Sequence, residues 1–133
     1  MPAVDTPIRI IPTDGRPHGE NAKFELMYLG DTTGRWEGDT LVLDSIGFID
    51  TTWLGRGGFF HSEKMHVVEK FTRQGDVLLY DVTVEDPAVL VEPYVYPTRT
   101  VRRNTNPNGG LMRERGNCET SFETEAAATQ IRH

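Results

Sequence analysis

His61, His66 and Glu69 lie close together in a segment patterned like a β-strand, directly after Phe59 and Phe60. Two imidazoles and a carboxylate beside aromatic rings are the groups that general acid–base catalysis uses. Strand parity sorts them. Side chains alternate across a strand, so over Glu63 to Arg73 one face carries Met65, Val67, Glu69 and Phe71, and the other carries His66, Val68, Lys70 and Thr72. The first face is the more apolar and is read as interior. Glu69 is then a carboxylate among hydrophobic neighbours, and burial is expected to raise its pKa towards the range useful for proton transfer. The same residue also reads as a structural carboxylate, salt-bridged to an arginine of a neighbouring strand. By strict alternation His66 falls opposite Glu69 and reads as an edge histidine. His61 precedes the strand, at the mouth of any enclosed space.

Further residues complete a candidate site. Glu119, on a last strand expected over Leu111 to Phe122, is a second carboxylate placed to converge with Glu69. Tyr94 shares a strand face with Tyr96 and can hydrogen-bond a substrate oxygen. Trp36, just before a turn, is expected in the core or in an apolar wall. Trp53, on a loop with Gly55, Gly57 and Gly58, is expected to close over a ligand.

Several chemistries are set aside. The spacing of His61, His66 and Glu69 matches no strong zinc signature, so no metal is expected. No phosphate-cradling glycine loop precedes a helical pattern, no dinucleotide fingerprint occurs, and no cofactor is expected. Ser62 beside His61 lacks the strand-turn-helix elbow of a hydrolase. Cys118 is the single cysteine, which excludes an intramolecular disulfide. At a formal net charge of −6 the chain is a poor candidate for binding nucleic acid. Its one local basic cluster, Arg99, Arg102 and Arg103, reads as a solvated strand end. No apolar run approaches membrane-spanning length. No leader is visible, so the cytoplasm is the expected compartment, with the periplasm or secretion open if a leader was trimmed.

The elements that must position these residues are strands. The 133 residues fit one domain, 1–133, with an irregular lead-in over 1–23 and a tail over 123–133. Ile8 to Ile11 and Phe24 to Leu29 are short strand candidates. Thr33 to Glu37 and Thr40 to Ile46 form a hairpin around Gly38-Asp39. Gly47 to Phe60 is a long glycine-rich loop. Glu63 to Arg73 and Val77 to Glu85 form a second hairpin, which Asp86-Pro87 ends. Val91 to Arg103 is a strand that Pro93 and Pro97 confine to an edge or a bulge. Hairpin-linked strands with no useful amphipathic helix predict an all-β antiparallel meander, curled into a small barrel or half-barrel that covers its own apolar face. A flat sheet buried in a homodimer is the competing solution.

The pieces Tyr28-Leu29-Gly30-Asp31, Gly34-Arg35-Trp36-Glu37-Gly38-Asp39-Thr40-Leu41-Val42, Trp53, His61-Ser62, His66-Val67-Val68-Glu69-Lys70-Phe71 and Val84-Glu85-Asp86-Pro87 resemble an uncharacterised soil-bacterial family that carries the Gly-Arg-Trp-Glu-Gly-Asp-Thr-Leu-Val block. The chain departs from that pattern at Tyr94, where a tryptophan is common, and at Asn117, with Cys118 one place late. The resemblance implies no settled reaction, but it groups His61, His66, Glu69 and Glu119 as a matched polar set. More distantly, the chain resembles lipocalin-like barrels, which hold small apolar ligands, a likeness of fold rather than function. Two functions are therefore expected. The first is a cofactor-independent lyase or isomerase acting by acid–base catalysis on a small apolar or aromatic molecule. In it Glu69 and His61 move protons while His66 and Glu119 orient or tune them. The second is a carrier that holds such a molecule unchanged.

Overall fold

Two Gly-Asp pairs set the frame of the sheet. In the computed structural model, which describes residues 8–54 and 57–106, β1 (Asp31–Glu37) and β2 (Thr40–Ile46) turn at Gly38-Asp39, with Gly38 at φ 62°. β5 (His66–Gln74) and β6 (Val77–Glu85) turn at Gly75-Asp76, with Gly75 at φ 61°. A positive φ at the first turn residue matches the twist of the flanking strands, and glycine adopts it without a Cβ clash. Between the hairpins, the expected loop contains a short antiparallel pair of its own, β3 (Trp53–Leu54) with β4 (Phe59–Phe60).

The main sheet runs β1-β2-β5-β6, and the far edge of β6 carries both β7 (Tyr94–Val95) and β8 (Arg99–Arg102). All its pairings are antiparallel. Of the expected barrel or half-barrel, no closed barrel is found among the described residues, where β1 pairs only with β2. No helix occurs among the described residues. The fold is therefore all-β and antiparallel, as the hairpin pattern required. Ile8 to Ile11 forms no strand, and Phe24 to Leu29 contributes one parallel bridge, Met27 to Phe48. The expected last strand, with Glu119, Asn117 and Cys118, lies outside the described residues, as does the tail.

Chain from outside the sheet covers it. Residues Ile8–Arg103 make one compact unit. Its core is a cluster of Phe48, Met65 and Val84, with Leu54, Val67, Val82, Leu90 and Tyr96 packed against it. The cross-strand register Thr32–Ser45–Val67–Val84 puts this core on one face, called here the inner face. The lead-in passes over the first edge, where the Gly34 amide donates to the Pro12 carbonyl at 2.8 Å. A Cβ on Gly34 would stand 2.9 Å from the Thr13 methyl, so glycine is what lets the lead-in lie this close.

Candidate functional site

The inner face is hollow beside its core. A recess of about 350 Å³ is bounded by Phe48, Leu54, Met65, Val67 and Val82, with Arg9, Glu69, Tyr80, His61 and Thr52 as its polar lining and Trp53 and Tyr28 at its rim. A second lobe of about 230 Å³ shares Leu54, Val67, Tyr80 and Val82 with it and ends at Tyr96, Pro97 and Arg99. Apolar walls with a few convergent polar groups are the usual make-up of a small-molecule site.

Glu69 projects into this space, as parity required, and is 6% exposed. It is not a free carboxylate. Arg9 donates to it through both terminal nitrogens, Nη1 to Oε2 at 2.7 Å and Nη2 to Oε1 at 3.0 Å. The Tyr80 hydroxyl donates to Oε1 at 2.7 Å. Tyr80 is set by its own cross-strand pairing, stacked on Phe71 at a centroid separation of 4.6 Å. The expected rise in pKa is thereby reversed. Burial does push the Glu69 carboxyl up, but the hydrogen bonds from Arg9 and Tyr80 and the Arg9 charge outweigh it and hold the carboxyl below its ordinary value. The Tyr80 phenol is pushed up to about 12 by burial and by its bond to the carboxylate. The arginine expected on a neighbouring strand comes from the lead-in.

His61 is 4% exposed and lines the same recess. Its Nδ1 donates to the Ser62 carbonyl at 3.0 Å, which fixes the tautomer. In the neutral ring Nε2 then accepts from the Thr52 hydroxyl at 2.7 Å. Asp86 holds this corner in place. It accepts from the Ser62 amide at 2.6 Å and the Ser62 hydroxyl at 2.7 Å, tying the loop to the end of β6. Burial raises the Asp86 carboxyl, yet these bonds bring it below the ordinary value.

The remaining candidates part from this pair. His66 lies on the outer face and does not line the recess. Its Nε2 meets Asp44 Oδ2 at 3.0 Å and its Nδ1 meets Glu85 Oε2 at 3.3 Å. His18, from the lead-in, meets Asp44 Oδ1 through Nε2 and Asp31 Oδ2 through Nδ1, each at 2.8 Å. Asp31–His18–Asp44–His66–Glu85 is thus an alternating chain of carboxylates and imidazoles. Ionised carboxylates only accept, so all four contacts are hydrogen bonds when both rings carry two protons. Burial disfavours charge on His66, but Asp44 and Glu85 outweigh it and raise its pKa. Burial likewise pushes Asp44 up, and its two imidazole bonds bring it down.

Trp36 corrects the expectation of a core position. It is 61% exposed, because the Gly38 turn carries this end of the hairpin beyond the covering chain, and it does not line the hollow. Tyr94 is 52% exposed and packs edge-on against Tyr96 at 4.8 Å, so Tyr96 lines the second lobe while Tyr94 does not. Trp53 stands at the rim, 71% exposed. Arg9, Tyr80 and Asp86 were missed as site residues. Tyr80 had a signal, since its parity puts it on the same face as Val82 and Val84. Arg9 had none, because an unpaired segment carries no register.

Among the described residues, no group of three or more His, Cys, Asp and Glu is arranged to hold a metal ion. Nor is any helix of these residues long and apolar enough to cross a membrane. No family model, no curated protein and no solved structure matches the chain.

Proposed function

We propose that Ile8–Arg103 is a binding module that holds a small, largely apolar or aromatic molecule in the inner-face recess and releases it unchanged. One observation carries this reading: the recess has apolar walls, and both of its acid–base candidates are already engaged. The Glu69 oxygens are occupied by Arg9 and Tyr80, and both His61 nitrogens are occupied by Ser62 and Thr52. A carboxylate held ionised by an arginine is a weak base and no acid at neutral pH.

The second reading is the cofactor-independent lyase or isomerase. It draws on the fact that Glu69 and His61 line one recess. In that reading an incoming substrate displaces Arg9, which frees Glu69 to take a proton.

A thermal-shift screen against aromatic acids, phenols and terpenoid-like compounds, followed by product analysis on each hit, separates the two. The binding reading expects stabilising hits that are recovered intact after long incubation. Turnover that disappears in Glu69→Gln would replace it with the catalytic one.

A further inference from the structure

Arg99 stands on the inner face because of one extra residue. Along β6, Thr83 pairs with Val95 and Val84 with Tyr94, a register that would continue to set Tyr80 opposite Thr98. Instead Tyr80 pairs with Arg99 and Leu78 with Val101. Three steps on β6, from Thr83 to Tyr80, match four on the edge strand, from Val95 to Arg99, which defines a β-bulge at Tyr96-Pro97-Thr98. A shift of one residue exchanges the two faces of a strand. Without the bulge Arg99 would pair with Leu79 and join the outer face. With it, Arg99 lines the second lobe of the recess. Arg102, paired with Val77, remains on the outer face. The three-arginine cluster of the sequence is therefore split, with Arg99 aimed inward.

Across the inner face Arg9, Glu69, Tyr80 and Arg99 form a row, two cations to one carboxylate. The Arg9 fork is spent on Glu69. Among the described residues, Arg99 makes no ion pair or hydrogen bond. Its nearest carboxylates on β6, Asp81 and Glu85, face outward by register. The walls beside it are Leu54, Val67, Val82 and Pro97. An unengaged planar fork at the end of an apolar trough matches a carboxylate on an apolar body, which the fork grips through two parallel hydrogen bonds.

We infer that the ligand of the recess is a small hydrophobic monocarboxylate and that Arg99 receives its carboxylate. The inference rests on the binding reading above and adds the chemical class and the anchoring residue.

Calorimetric titration of the full chain with phenylbutyrate and decanoate, each against its own uncharged amide, tests it. The acids are expected to bind about tenfold or more tightly than the amides, as one charge-assisted contact provides. Arg99→Gln should bring each acid to the level of its amide, Arg99→Lys should restore part of the difference, and Arg102→Gln should leave it intact. Equal binding of acid and amide, or a preference that survives Arg99→Gln, overturns the role of Arg99 and leaves the recess as a binding site. If none of the four probes binds, the binding reading fails as well.

Discussion

Each face of the sheet is centred on one carboxylate of a middle strand, Glu69 on the inner face and Asp44 on the outer, and the two are neutralised by different chemistry. Glu69 is held by a guanidinium and a phenol, neither of which titrates near neutral pH. Asp44 is held by the imidazoles of His18 and His66, and together with Glu85 it raises the pKa of the His66 ring. The lead-in supplies one partner to each face, Arg9 to Glu69 and His18 to Asp44. A fixed ion pair gives the recess a floor that stays the same across the physiological range. The outer face clasps the same segment through His18, and beside it the His66 bond to Asp44 weakens as pH rises through the raised His66 pKa.

Removing the central carboxylates separates the two faces most clearly. Glu69→Ala leaves a half-buried guanidinium and the Tyr80 hydroxyl without their acceptor, and is expected to lower unfolding free energy by about 2–3 kcal/mol in urea titrations, less than a fully buried pair because Arg9 is one-third exposed. Asp44→Ala at neutral pH should lose about 1 kcal/mol or less, since the Asp44 carboxylate is itself better solvated, 25% exposed against 7% for Glu69. Equal losses would erase the distinction between the faces.

Gly34→Val tests whether one strap serves both. Its side chain would press on Thr13 and Leu43, and a loss of about 1–2 kcal/mol is expected from overpacking. Weakening of the Arg9 and His18 contacts together, read from side-chain NMR shifts, is the expected signature. A change confined to one face would show that the two contacts are independent.

The pH dependence has opposite signs on the two faces. The folded pKa of His66 is raised, so its contribution is fully present below the ordinary histidine value of 6.5 and is lost as pH rises through the elevated one. Stability should fall by up to about 1 kcal/mol across that window, and His66→Ala should flatten the slope. The folded pKa of Glu69 is lowered, so its contribution is present above the ordinary value of 4.5 and is lost as pH falls through the depressed one. Denaturation midpoints measured across the pH range check both signs. The smallest effect belongs to Trp36→Ala, expected within about 0.5 kcal/mol and without influence on ligand binding, because that side chain is exposed and outside the recess.

What was legible in the sequence is what alternation and turn chemistry encode. The two hairpins, the inward direction of Glu69, the outward direction of His66 and the edge position of the Pro97 strand all follow from period-two patterning and from proline's missing donor. Whether the sheet closes was not legible, since closure depends on long-range pairing that no local pattern specifies. Nor was the sign of the Glu69 shift, because it depends on Arg9, sixty positions away in a segment outside the sheet. Trp36 was misplaced for a related reason. Its parity is inward, but whether inward means buried depends on how far the covering chain reaches. The bulge was anticipated only as an alternative, and its consequence for Arg99 needed the actual register.

The carboxyl of Glu69 is the point on which binding and proton transfer divide. Its side-chain carbonyl carbon, followed by NMR as pH is lowered in the unliganded protein, reports the ionisation directly. A midpoint below 4.5 is expected, as the Arg9 and Tyr80 bonds require. A midpoint displaced towards neutrality would mean that the pair with Arg9 does not hold in solution, and that the recess is built for acid–base chemistry.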